Sequence, residues 1–153
     1  MAQTDYDMLC MQAEALIRDV PHVTANLANV SALLFTTLPD INWAGFYLTE
    51  GDKLILGPFQ GNPACVEIAW GKGVCGTAAL LDTVQLVPDV HLFKGHIACD
   101  SASRSEIVVP LHKNGQVAGV IDIDSPYLAR FTEHDKAGLE KLAALLENTI
   151  FNS

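Results

Sequence analysis

Three cysteines give the strongest signal for covalent chemistry in this sequence. Cys65, Cys75 and Cys99 lie in or at the edge of a stretch, from about 57 to 103, that is rich in Gly, Cys, His and Ser. Disulfide exchange needs a thiolate and a second thiol within reach, so three thiols in one stretch favour redox chemistry. No Cys-x-x-Cys or His-x-x-x-His pair accompanies them, and this spacing disfavours a zinc site. The fourth cysteine, Cys10, lies on a predicted helix and is interpreted as a small helical hydrophobe.

The residues around Cys99 bear on whether its thiol ionises. His96 or Arg104 would lower the pKa of that thiol, whereas Asp100 would raise it. Upstream, the Gly-rich residues 71–76 are predicted to lead into a short helix, whose start would suit an anion. The Gly-x-Gly-x-x-Gly spacing in that loop follows no long strand and no βαβ unit, so a dinucleotide site is disfavoured.

A predicted hairpin, with strands 105–112 and 116–124, gathers three acids. A three-residue loop, 113–115, has Gly at the position that needs positive φ and separates apolar from polar positions onto opposite faces. In that register His112 pairs with Gln116 and Glu106 lies opposite Asp122. Asp124 follows on the same face.

These three acids have two interpretations. One is a solvated sheet edge, even though like charges placed directly opposite each other are destabilising. The other is a site that binds a cation, an ammonium group or a hydrogen-bond donor, or that raises the pKa of one acid. On the second interpretation, we expect the side chains of Glu106, Asp122 and Asp124 to face one cavity.

The elements that must position these residues are predicted from hydrophobic periodicity and turn signals. Helices are expected at both ends of the chain, and strands in the middle. The C-terminal helix is expected to be capped by Thr132, with Glu133 and Asp135 in its first turn. The predicted segments are helices over 5–18, 24–37 and from 132 onward, and strands over 42–48, 53–56, 84–87, 105–112 and 116–124. This order indicates an α+β fold, in which a central antiparallel β-sheet is flanked by N- and C-terminal helices.

Composition excludes several classes of protein. The 153 residues correspond to one domain, and the net charge of −9 argues against nucleic acid and anionic membranes as partners. No transmembrane span or secretory signal is predicted, so a cytoplasmic location is expected. In a reducing compartment the cysteines are not expected to form static disulfides.

Longer motifs in the sequence resemble a known family, the free methionine-(R)-sulfoxide reductases, which are single GAF domains. The motifs are, in chain order, Trp43-x-Gly45-Phe46-Tyr47-Leu48, Leu56-Gly57-Pro58-Phe59-Gln60-Gly61-x-x-Ala64-Cys65, Gly73-Val74-Cys75-Gly76, Gly95-His96-Ile97-Ala98-Cys99-Asp100, Ser105-Glu106-Ile107-Val108-Val109-Pro110 and Asp122-Ile123-Asp124-Ser125. The resemblance covers about 15–150, and it implies that residues 1–153 form a single GAF domain.

The resemblance implies an activity and a set of cysteine roles. The family reduces the R epimer of free L-methionine sulfoxide, with thioredoxin as the usual reductant. Cys99 matches the nucleophile of the family, and Cys65 and Cys75 match its recycling cysteines, with their order left open. A thiolate at Cys99 would become a sulfenic acid that condenses to a disulfide, and this chemistry requires no metal or organic cofactor. A homodimer is also expected.

The resemblance also implies a substrate pocket. Trp43 and Tyr47 match residues around the substrate methyl group, and Glu106, Asp122 and Asp124 match acids that hold the amino group and the sulfoxide. A carboxylic acid kept neutral beside other acids would supply a proton to the leaving oxygen.

No basic cluster is available for the substrate carboxylate. We therefore expect backbone N–H groups from Ile97 through Ala98 to Cys99 to bind it. The alternative to an enzyme is a non-catalytic GAF sensor that binds a small amino-acid-like ligand and whose cysteines report oxidation.

Overall fold

One antiparallel sheet organises the fold. The computed structural model describes residues 3–97, 99 and 102–152, and its six strands follow the order β3-β2-β1-β6-β5-β4. The elements are α1 (Tyr6–Ile17), α2 (Val23–Thr37), β1 (Trp43–Glu50), β2 (Lys53–Gly61), β3 (Glu67–Ala69), α3 (Gly73–Leu81), β4 (Gln85–Val87), a 3-10 turn (Val90–Leu92), β5 (Ser105–Lys113), β6 (Gln116–Ser125) and α4 (Glu133–Thr149). No helix in the described part of the chain is long and apolar enough to cross a bilayer.

Helices cover the two faces of the sheet unequally. On one face, α2 packs on β1 and β2, α4 packs on β5, and α1 packs against both of these helices. On the other face, the short helix α3 packs on β5 and β6. The predicted α+β fold with terminal helices over an antiparallel sheet is therefore confirmed, and α3 defines the second face, where Cys65 and Cys75 lie.

The start of α4 is fixed by a capping box. The Thr132 hydroxyl accepts from the Asp135 N–H, and the Asp135 carboxylate accepts from the Thr132 N–H at 2.8 Å. This reciprocal pair satisfies two backbone donors at the helix start, so the predicted cap is confirmed. The Tyr6 hydroxyl also donates to Asp135, at 2.6 Å, which ties α1 to α4.

The β5–β6 hairpin turns on two residues rather than the three that the sequence predicts. Asn114 and Gly115 both adopt positive φ, 54° and 75°, and Lys113 replaces the expected His112 as the partner of Gln116. A two-residue turn with positive φ at both positions suits Asn-Gly and matches the twist of the strands. The expected three-residue loop is therefore wrong.

A bulge next to this turn restores the predicted faces. One extra residue of β6 lies between the partners of Leu111 and His112. A shift of one residue would exchange the faces of a strand, and the bulge reverses that exchange. The predicted separation of apolar and acidic faces is thus confirmed along most of the hairpin. The pairing is not confirmed, because Glu106 lies opposite Asp124 rather than Asp122.

Two elements near the cysteines are longer than predicted. Strand β2 continues through Gly57 and Pro58 to Gly61, and its pairing with β1 shifts at this point. Proline is tolerated at such irregularities because the ladder does not need its missing N–H there. Helix α3 begins at Gly73 rather than after the Gly-rich loop.

Candidate functional site

Most of the predicted site residues meet at a cavity on the α3 face of the sheet, although Cys65 is not among the residues that line it. Its volume is about 40 Å³, which is room for a few water molecules. The predicted residues that line it are Trp43, Tyr47, Cys75, Ile97, Cys99, Glu106, Asp122 and Asp124. Ala98 lies outside the described residues.

The three acids are buried together at the floor of this cavity. Glu106, Asp122 and Asp124 are only 8%, 5% and 9% exposed. Asp124 pairs with Glu106 across β5 and β6, and Asp122 lies two residues earlier on the same face of β6. The expectation that their side chains face one cavity is therefore confirmed.

Burial favours the protonated forms of the carboxyl groups in this cluster. Burial raises the pKa of Glu106 well above its ordinary range, and the charges of Asp122 and Asp124 raise it further. Burial also raises the pKa of Asp122. Desolvation and nearby like charges both disfavour the ionised form of a carboxyl group. Glu106 therefore holds a proton under conditions in which an exposed glutamate has lost it.

Cys75 extends the proton-bearing cluster from α3. Its buried thiol donates to Glu106, with Sγ 3.8 Å from Oε2. Burial first, and then the charges of Asp122 and Glu106, raise the pKa of this thiol well above its ordinary value. Cys75 is thus a protonated thiol and not a ready nucleophile in this form of the protein.

Three buried groups of this cluster are also of types that ligate metal ions. Cys75, Glu106 and Asp122 offer ligand atoms that all lie within 4.8 Å of one another. Burial raises the pKa of Asp122, and hydrogen bonds with Glu106, Asp124 and Cys75 offset part of that rise.

A disulfide joins Cys65, which follows β2, to Cys99, which follows the 3-10 turn. The sulfurs are 2.01 Å apart and the Cα atoms 5.4 Å apart. Cys75 remains a free, buried thiol that lines the same cavity as Cys99. Cys10 is also free, is half-buried, and packs against the helix-side core, as its interpretation as a hydrophobe requires.

An aromatic wall closes one side of the cavity. Trp43 and Tyr47 stack with ring centroids 6.0 Å apart, and Trp43 also stacks on Phe59 at 5.0 Å. The Trp43 indole N–H donates to the carbonyl of Asn62, and the Tyr47 hydroxyl donates to the carbonyl of Cys65 at 2.9 Å. The wall is therefore held rigid and is tied to one half of the disulfide.

Several cavity residues were not predicted as binding residues. Lys72, at the start of α3, and Ser103 line the cavity, and so does His96. Burial lowers the pKa of His96 below its ordinary value, and the charge of His91 lowers it further. The Gly-rich loop had marked the start of α3 as an anion site, which was the one sequence signal for Lys72.

The segment expected to bind a carboxylate is partly engaged in this form. Ile97 lines the cavity, and the Cys99 N–H donates to the Ile97 carbonyl at 3.0 Å. This N–H becomes available to a ligand only if the local turn opens.

Comparison with known proteins agrees with this geometry. The GAF domain family model matches residues 13–150. The free methionine-R-sulfoxide reductase of Escherichia coli is 57% identical over 136 residues, covering 89% of this chain and 82% of that protein. A structure of fRMsr of Staphylococcus aureus in complex with substrate is 53% identical, with a TM-score of 0.92 and coverage of 98% of both chains.

A third match comes from Neisseria meningitidis. The structure of its free methionine-R-sulfoxide reductase in complex with its substrate is 42% identical, with a TM-score of 0.92 and coverage of 97% of this chain and 92% of that one. The chain therefore belongs to the GAF domain family and, within it, to the free methionine-R-sulfoxide reductases.

Proposed function

We propose that this protein reduces free L-methionine-(R)-sulfoxide to L-methionine through a sulfenic acid on Cys99 and a Cys65–Cys99 disulfide that thioredoxin reduces. The observation that carries the proposal is the disulfide itself, because it joins a second cysteine to Cys99, which lines the same cavity as the three acids. The proposal includes a cytoplasmic location and a homodimer.

The first step forms the sulfenic acid. The Cys99 thiolate attacks the sulfoxide sulfur, and Glu106 protonates the oxygen, which makes it a better leaving group. The substrate S–O bond and the bond between the two sulfurs then break as the oxygen bonds to the Cys99 sulfur, so Cys99 is oxidised to a sulfenic acid while the substrate sulfur is reduced to the thioether. The raised pKa of Glu106 supports its assignment as the acid.

The second step forms the disulfide. The Cys65 sulfur attacks the sulfur of the Cys99 sulfenic acid, the S–O bond breaks, and water leaves. The observed Cys65–Cys99 bond favours Cys65 as the first recycling cysteine. Cys75, as the second recycling cysteine, takes part only after a rearrangement, because its thiol is buried against Glu106.

Each part of the substrate has a proposed partner in the cavity. Trp43 and Tyr47 contact the S-methyl group, since their ring faces form an apolar wall. The acids at the floor, Glu106, Asp122 and Asp124, hold the ammonium group and the sulfoxide. Backbone N–H groups from Ile97 through Ala98 to Cys99 bind the carboxylate after the disulfide is reduced.

A coupled assay tests this function. The protein is incubated with either epimer of free methionine sulfoxide, thioredoxin, thioredoxin reductase and NADPH. We expect NADPH consumption with the R epimer only, and complete loss of turnover in Cys99→Ser. Cys10→Ser is the matched control and should keep full activity. Binding of the R epimer without turnover would instead support a non-catalytic GAF sensor.

A further inference from the structure

The surface around the disulfide has an apolar component that the reaction with a small substrate does not explain. Val66, next to Cys65, is 65% exposed, and Ile97, two residues before Cys99, is 41% exposed. The disulfide bond holds these two segments together. Exposed apolar side chains beside a functional group are typical of a protein contact.

The same surface carries positive charge in a chain whose net charge is −9. The Gly73 N–H donates to the carbonyl of Gly95 at 3.2 Å, which brings together the backbone next to Lys72 and the backbone next to Lys94. Ile97 lies directly over Gly73. Both lysines are exposed, so two positively charged residues lie in the segments next to Ile97.

These lysines are not neutralised within the described part of the chain. Neither Lys72 nor Lys94 forms an ion pair there. On the other side of the disulfide the acid next to Val66, Glu67, is paired with Lys53 at 3.0 Å. The border of the disulfide is therefore apolar and locally cationic on an otherwise acidic protein.

We propose that Val66, Ile97, Lys72 and Lys94 form a docking surface for a dithiol protein that carries carboxylates beside its thiols. This inference rests on the proposed function, because that function requires repeated reduction of the Cys65–Cys99 disulfide. Apolar contact supplies the affinity, and the lysines steer a partner of opposite charge and set its orientation.

The surface also determines which sulfur the partner reaches. Cys99 lines the substrate cavity, whereas Val66 beside Cys65 faces solvent. A partner thiolate attacks the Cys65 sulfur, the Cys65–Cys99 bond breaks, and Cys99 leaves as a thiolate into the cavity. The partner's second thiol, once deprotonated, then attacks the partner's first sulfur, which is bonded to Cys65 in the mixed disulfide. This attack releases Cys65. Two electrons pass to the protein, and the partner ends as a disulfide.

The test compares a protein reductant with a small one. The double variant Val66→Ser/Lys94→Glu changes two surface residues outside the catalytic and binding machinery. We expect kcat/KM for thioredoxin to fall about 10-fold or more in this variant, while turnover with dithiothreitol stays unchanged. The matched control, Leu128→Ser/Lys113→Glu, also changes one exposed apolar residue and one exposed lysine, and should match the wild type with both reductants.

Ionic strength gives a second readout. For the wild type, kcat/KM for thioredoxin should fall as salt rises, and Lys94→Glu should flatten or invert that dependence. Equal losses with thioredoxin and dithiothreitol would overturn the docking surface, since they would show a disturbed disulfide. An unchanged kcat/KM for thioredoxin would overturn it as well.

A stoichiometric measurement separates this inference from the proposed function. The protein is first prepared with its Cys65–Cys99 disulfide formed. Stopped flow then measures the rate at which thioredoxin reduces this disulfide, without any sulfoxide present. A slower rate in Val66→Ser/Lys94→Glu supports the docking surface even if methionine sulfoxide is not turned over. Absence of turnover with both reductants in the wild type would overturn the proposed function alone.

Discussion

Glu106 is the residue on which the chemistry of the cavity depends most. It is the acid that receives a hydrogen bond from the Cys75 thiol and that pairs across the sheet with Asp124. Its raised pKa has burial as its largest cause, so the fold itself keeps a proton at the point where a sulfoxide oxygen would need one.

The substitution Glu106→Gln tests this assignment. The amide keeps the shape of the side chain and can donate a hydrogen bond, but it cannot transfer a proton. We expect kcat to fall about 100-fold or more, which is the usual contribution of a general acid. Steady-state kinetics with the R epimer and dithiothreitol measure the change, and the exposed Glu133→Gln is the control. An unchanged kcat would contradict the role of Glu106 as the acid.

The sequence predicts most of the site at this scale. Separation of the apolar from the acidic positions of β5 and β6 predicts that Glu106, Asp122 and Asp124 share one face, and on the two-residue turn it is the bulge that restores this arrangement. The stacking of Phe59 on Trp43 was missed because the predicted strand ends at residue 56, before Phe59. Its stacking on Trp43 depends on pairing across β1 and β2, which the local sequence does not encode.

At the scale of elements, His112 links three parts of the fold. Its Nδ1 lies 2.5 Å from Glu147 of α4, and its Nε2 lies 2.6 Å from Asp82 at the end of α3. His112 lines a surface cavity that Lys136 and Glu140 of α4 line as well. Since α3 also carries Cys75, this histidine joins the helix of the site to α4 on the opposite layer.

The link should weaken as pH rises. Burial alone would lower the pKa of His112, but the hydrogen bonds to Asp82 and Glu147 outweigh it and raise the pKa above the ordinary value of 6.5. A raised folded-state pKa means that the stabilisation is fully present below the unfolded value and is lost as pH rises through the folded value.

We therefore expect His112→Gln to lower the free energy of unfolding by about 1 kcal/mol at pH 6 and by less at pH 9. Urea titrations at the two pH values measure this difference. His22→Gln is the control, since it changes an exposed histidine at the start of α2. Equal destabilisation at both pH values would show that the ring acts by packing rather than by charge.

Elements were predictable where local chemistry determines them. The capping box at Thr132 and the periodic faces of the terminal helices are local features, and they are confirmed. The position of the bulge in β6 is not determined by the neighbouring sequence. One inserted residue can lie at several positions along the strand and give the same overall alternation. The start of α3 at Gly73 was missed because glycine is a poor helix former, and here packing against the sheet overrides that preference.

At the scale of the whole molecule, the site is held at a cost in stability. Burial raises the pKa of Glu106 well above the ordinary value of 4.5 and also raises that of Asp122. Between the unfolded and folded pKa values the folded protein binds more protons than the unfolded chain. By linkage, the free energy of unfolding falls as pH rises across that range.

This cost predicts that a variant damaged in catalysis is more stable than the wild type. Glu106→Gln removes a carboxyl group whose folded pKa is raised, so the variant should be more stable than the wild type at pH 8. Below pH 4.5 the difference should shrink, because the unfolded glutamate is then protonated as well.

Urea titrations of the two disulfide-intact proteins at pH 4, 6 and 8 measure this difference in the free energy of unfolding. His112 and Asp122 are common to both proteins, so the difference in slope reports on Glu106 and its coupling to the cluster. Stability curves that run parallel with pH would contradict a proton held by Glu106, whereas curves that diverge toward high pH would show that the fold gives up stability to keep a proton in the cavity.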